Sequence, residues 1–173
     1  AMGAGWNLGN QLEATSEGFP SETAWGLPTI TNNVFKIVKK SGFDTVRIPV
    51  SYLNYIETDS SAEYGYSIND TWMARVKEVI QMAIDNDLYV ITNMHGDGYN
   101  TVTGGWLLCN NTSNQNEIVK KYKGAWQDIA NNLKEFDEHL IFESMDEVYF
   151  YDYRTYNFDF DVLFNFKDNW VIS

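Results

Sequence analysis

Polar residues of the types that act on sugars stand at the ends of short apolar runs: Asn7 and Asn10, Arg47, His95, and Asp146 with Glu147. An amide, a guanidinium, an imidazole and paired carboxylates on one surface suit cleavage of a glycosidic bond. That reaction needs a protonated carboxylic acid beside the leaving oxygen. It also needs a second carboxylate, which acts as nucleophile when the two groups stand about 5 Å apart. Glu147 is the candidate general acid/base. Spacing alone does not separate it from a solvated carboxylate at a strand end. Glu143 lies on the same run, and period-two alternation puts Glu143, Met145 and Glu147 on one side. An interior Glu143 needs a partner, and Arg47 is suited to the task.

Other readings of these residues stay open at this level. Arg47 either orients a catalytic carboxylate or closes a salt bridge inside the fold, and the two roles are compatible. His95 is of a type that serves as metal ligand, general base or sugar-binding group. The only other histidine is His139, which begins a strand, and the single cysteine is Cys109. A His- or Cys-rich metal site is therefore not expected. Asp59 and Asp97 are oxygen ligands in principle, but the spacing of a calcium loop is absent. Trp25, Tyr99 and Trp106 fall in polar loops. Each ring either stacks on the apolar face of a pyranose or packs its loop, with Trp106 favoured over Trp25 for sugar.

These residues need a scaffold that gathers strand ends on one face. The chain has 173 residues, 44% of them hydrophobic and 16% aromatic, which is ample for a core. Strand-like and helix-like runs alternate, the pattern of a parallel α/β sheet or barrel. Strands are expected at 5–9, 43–50, 88–94 and 139–145. Amphipathic helices are expected at 29–40, 71–86 and 117–133. Ile30, Val34, Ile37 and Val38 form the inner face of the first helix, capped by Thr29 or Thr31. The segments 52–67 and 95–116 read as long loops. In a (β/α)₈ TIM barrel the loops after the strands form the active face, but eight units need about 250 residues. About the first four β/α units are expected here, over 1–148, with 149–173 an unassigned aromatic and acidic tail.

The net charge of −12 argues against nucleic acid and anionic membrane as partners, since both need basic patches. No apolar stretch approaches a membrane span.

Four segments then resemble, in order, the strand motifs of glycoside hydrolase family 5 endoglucanases, in the bacterial cellulase and xyloglucanase branch. They are Gly5–Trp6–Asn7–Leu8–Gly9–Asn10, Thr45–Val46–Arg47–Ile48–Pro49–Val50, Val90–Ile91–Thr92–Asn93–Met94–His95, and Leu140 to Glu147, with the sequence Leu-Ile-Phe-Glu-Ser-Met-Asp-Glu. The resemblance implies a retaining mechanism in which Glu147 is the acid/base, Arg47 supports the nucleophile and His95 lines the cleaving subsite. It implies a β-1,4-glucan substrate; such a polymer cannot enter a cell, so a secreted location is expected, and the chemistry needs no cofactor and no metal. Asn10, Tyr99 and Trp106 join Arg47, His95 and Asp146 as expected substrate-binding residues.

Two departures from the family pattern matter. Asp146 stands where the resemblance implies an Asn that binds the sugar 2-hydroxyl, and Gly96 stands where relatives often carry a second His. Nothing after Glu147 matches the family's nucleophile, which the resemblance assigns to later strands. The expected partners are therefore a β-glucan and the carboxyl-terminal half of a barrel. Xyloglucan, mannan and xylan are alternative substrates. A non-catalytic, glycan-binding half-barrel is the alternative of another class.

Overall fold

The structure is a computed structural model that describes residues 2–98, 102–108, 114–146, 151–152 and 157–158. Its centre is a parallel sheet of four strands: β1 (Gly5–Asn7), β2 (Thr45–Ile48), β3 (Tyr89–His95) and β4 (Leu140–Asp146). Their spatial order is the chain order, β1-β2-β3-β4. A doubly wound sheet reverses its order at a switch point, whereas a barrel adds each strand beside the last. The sequential order is that of the first four strands of a barrel. The register sets Asn7 opposite Arg47, Arg47 opposite Ile91, and Ile91 opposite Ile141.

Three helices cover one face: α1 (Asn32–Lys40), α2 (Asp70–Ile84) and α3 (Gln115–Leu133). The core between helices and sheet includes Phe35, Val46, Val76, Ile80, Val90 and Ile129, all fully buried. On α3 the residues Ile118, Tyr122, Trp126, Ile129 and Leu133 form one buried stripe. On α1 the expectation needs correction. The helix begins only at Asn32, after Thr31, and it buries Phe35 and Val38 while Ile37 is 57% exposed. Residues two apart stand about 200° apart around a helix, so burying Phe35 turns Ile37 to the outer side. Asn69 caps α2 by accepting from the backbone N–H of Thr71 and Trp72, a contact worth about 1 kcal/mol.

The long segment after β2 is not wholly loop. Ile56–Thr58 and Tyr66–Ile68 pair as an antiparallel ribbon that rests on α3. A short 3₁₀ turn, Lys134–His139, leads into β4. In the region expected to be a tail, Tyr151–Asp152 pairs with Asn157–Phe158. No helix among the described residues is long and apolar enough to cross a membrane.

One irregularity in the sheet decides which side chains meet. Asn93 pairs with Glu143, but His95 pairs with Asp146, so Ser144 and Met145 together oppose Met94. This β-bulge adds one residue to β4 and breaks the expected alternation. Asp146 arrives at the level of His95, and Met145 packs against the core. The expectation that Glu143 and Met145 share a side is overturned.

Candidate active site

Arg47 organises the carboxyl ends of the strands. Its Nε lies 2.7 Å and its Nη2 2.9 Å from the two Glu143 oxygens, a bidentate pair. Nη2 also donates to Asp146 Oδ2 at 2.6 Å, and Nη1 donates to Asn7 Oδ1 at 3.2 Å. A planar guanidinium matches two carboxylates in a way a lysine does not. Hydrogen bonding to Glu143, above all, pushes Arg47 further up from its already high pKa, with burial opposing. The salt-bridge role foreseen for Arg47 and Glu143 is thus realised, and it extends to Asp146.

His95 sits beside this network. Its Nδ1 is 3.3 Å from Asp146 Oδ2 and 3.5 Å from Asn93 Nδ2. Asn93 is fully buried and accepts the Val50 N–H at 3.3 Å, while the His95 N–H donates to the Val50 carbonyl at 2.8 Å. The imidazole is therefore placed by the end of β2 as well as by its own strand.

Asn10 lies on the turn after β1 in a left-handed conformation, φ 67°. Glu13 holds that turn, since its two carboxylate oxygens accept the backbone N–H groups of Asn10 and Gln11. Sequence reading missed Glu13. A carboxylate three residues after an exposed Asn is the local signal that points to such a clasp. Glu147 and Tyr99, like Cys109, lie outside the described residues.

Trp106 is tied into its loop by several contacts. Its indole N–H donates to Asp97 Oδ1 at 2.9 Å, the ring packs on the core, and Lys121 Nζ lies 4.7 Å from the ring centroid. These contacts are those of a loop anchor. Trp25, ranked lower from sequence, is the ring left 55% exposed. Its loop is nevertheless braced. Glu22 accepts the Ile30 N–H and pairs bidentately with Arg75 of α2 at 2.8 and 2.9 Å.

Asp97 is the second residue underestimated from sequence. It is 1% exposed, and its carboxylate also accepts from the Tyr52 N–H at 2.9 Å and the Ser51 hydroxyl at 3.2 Å. It thereby ties the loop after β3 to the loop after β2. Burial pushes its pKa up to about 6, against the opposing pull of these donors. In the unfolded chain an Asp titrates near 3.9. The folded state therefore holds a proton that the unfolded state has released between about pH 4 and 6, and this contribution to stability is lost as pH rises through 6. The Asp97→Asn variant does not titrate here. Wild type should gain about 1 kcal/mol on the variant between pH 7 and pH 5. Paired thermal melts at the two pH values check this, and a constant gap would contradict it.

Among the described residues one cluster has three atoms close enough to share a metal: Asp137, Glu138 and His139. It lies before β4, at the opposite end of the strand from Asp146, and is remote from the Arg47 network.

The pattern that defines the cellulase family, glycosyl hydrolase family 5, matches residues 9–163. Endoglucanase A of Paenibacillus barcinonensis is 51% identical over 156 residues, which are 90% of this chain and 38% of that protein. Endoglucanase B of Clostridium cellulovorans is 39% identical over 84% of this chain and 30% of its own length. Among solved structures, a family 5 xyloglucanase from Paenibacillus pabuli in complex with ligand superposes with a TM-score of 0.81. It is 52% identical, over 90% of this chain and 42% of that one. The chain spans less than half the length of these relatives. With a family match over residues 9–163, relatives 51% and 52% identical, and a sequential parallel sheet that carries the Arg47 network at its carboxyl ends, the chain belongs to the cellulase family, glycosyl hydrolase family 5, and forms the amino-terminal part of its (β/α)₈ barrel.

Proposed function

We propose that this chain supplies the amino-terminal half-barrel of a retaining endo-β-1,4-glucanase that works outside the cell, with Glu147 as its general acid/base. The observation that carries the reading is the convergence of Arg47, Asp146, Asn7 and His95 at the strand end from which Glu147 follows. Glu147 protonates the leaving oxygen and then deprotonates the water that releases a covalent glycosyl-enzyme. The nucleophile comes from a later strand, beside Arg47. His95, Asn10 and Tyr99 contact the sugar, and the braced, solvent-facing Trp25 offers a stacking face further along the glucan. This chemistry uses neither metal nor cofactor.

The test is hydrolysis of soluble β-1,4-glucan by the full-length protein. Viscosity should fall well ahead of reducing-end release, and the first product should be the β-anomer. Glucan binding without hydrolysis at any enzyme concentration would favour a non-catalytic binding role instead. A second reading, xyloglucan as the preferred polymer, is favoured by the 52% identity to the Paenibacillus pabuli xyloglucanase. Relative rates on xyloglucan, mixed-linkage glucan, mannan and xylan decide between them.

Asp146 gives a sharper expectation. As a carboxylate it accepts from Arg47 and offers no amide donor to a sugar hydroxyl. It also adds negative charge next to Glu147, which favours the protonated acid. Asp146→Asn restores the donor, while Glu143 keeps Arg47 bound. The variant should raise kcat/KM several-fold, up to about tenfold for one recovered hydrogen bond. Unchanged or lower turnover would sink the idea.

A further inference from the structure

The β4 bulge exposes a backbone problem with a specific solution. Two residues opposing one leave a carbonyl without its ladder partner. The Ser144 carbonyl accepts instead from the Tyr122 hydroxyl at 2.7 Å and the Trp126 indole N–H at 3.0 Å. Both donors come from consecutive turns of α3, the helix packed behind the strand. Phe142, one pleat earlier, meets the Trp126 ring edge-on at 5.7 Å.

From this geometry we infer that Tyr122 and Trp126 are positioning residues for catalysis, which set the register of the strand end at Asp146, the residue before Glu147 in the chain. Without the bulge, Met145 would stand opposite His95 and Asp146 would turn toward the helices, because a one-residue slip reverses every side chain beyond it. The two α3 donors favour the bulged form by satisfying a carbonyl that the regular ladder would otherwise use. Neither side chain is placed in the sugar-facing site. Their effect on turnover passes through β4. This inference rests on the proposed role of Glu147.

Tyr122→Phe removes one hydroxyl and keeps the ring. In the full-length protein it should lower kcat on unactivated glucan about tenfold, the weight of one hydrogen bond, with KM nearly unchanged. On an aryl cellobioside with a good leaving group, which needs little acid assistance, the loss should be smaller. Trp126→Phe should show the same split, and the double variant more of it. The readout independent of activity is the His95 imidazole resonance. It should move in Tyr122→Phe, because the His95–Asp146 contact depends on the bulge. A lower melting temperature with unchanged kcat, leaving-group dependence and His95 resonance would make both residues merely structural and overturn the inference. Should Tyr122→Phe fail to fold, Trp126→Phe carries the same comparison. If Glu147→Gln also leaves turnover unchanged, the acid/base assignment fails rather than the positioning role of Tyr122 and Trp126.

Discussion

Glu147→Gln should lower kcat on unactivated β-glucan by about 10²–10⁴-fold, the usual weight of one general acid/base. The glutamine keeps size and most hydrogen bonding, so KM and melting temperature should hardly change. The loss should depend on the leaving group. A sugar hydroxyl departs poorly without a proton, whereas a nitrophenolate needs none, so an activated aryl cellobioside should form the glycosyl-enzyme at a rate much closer to wild type. Its hydrolysis should then stall at deglycosylation, where Glu147 serves as base, and a burst of phenolate followed by a slow phase is expected. Equal losses on both substrates, with no burst, would remove Glu147 from the acid/base role.

Arg47→Met should be the most damaging single change to stability among the site residues. Removing one partner from a fully buried ion pair costs about 3–5 kcal/mol, and from an exposed pair at most about 1 kcal/mol. Arg47, Glu143 and Asp146 lie between these limits, with side chains 26%, 34% and 37% exposed. A cost of about 2–3 kcal/mol follows, or roughly 4–12 °C in Tm for a domain of this size. Two carboxylates are left facing each other with no cation between them. Arg47→Met combined with Glu143→Gln removes one of those charges and should recover part of the loss. Thermal melts of the single and double variants check this. Additive losses would mean that the guanidinium and Glu143 are not coupled.

Much of this arrangement was legible in the sequence, for identifiable reasons. Strand and helix periods are properties of neighbouring residues, so β2, β3, α2 and α3 fall within a few residues of their expected bounds. The pairing of Arg47 with Glu143 was readable because an interior carboxylate has few other remedies. The bulge was not. It depends on donors from α3, more than fifteen residues earlier, meeting one carbonyl of β4, and no local pattern records that. The difference between Trp106 and Trp25 was hidden for a similar reason. Both lie in polar loops, and only the tertiary partners, Asp97 for one and the Glu22–Arg75 brace beneath the other, decide which ring is tied down. Asp97 read from sequence as an oxygen ligand in principle, and its actual partners, Ser51 and Tyr52, come from the loop after β2.

The sheet has consequences for how such a protein is made. Trp6 on β1, and Ile141 and Phe142 on β4, lie on the two outermost strands and are each more than a third exposed. In a nascent chain of the relatives' length these strands leave the ribosome well before the rest of the barrel. At about 5–20 residues per second the wait is on the order of ten seconds or more. For that interval both borders of the sheet are open templates for pairing with another chain. A longer interval should therefore lower the yield of soluble protein.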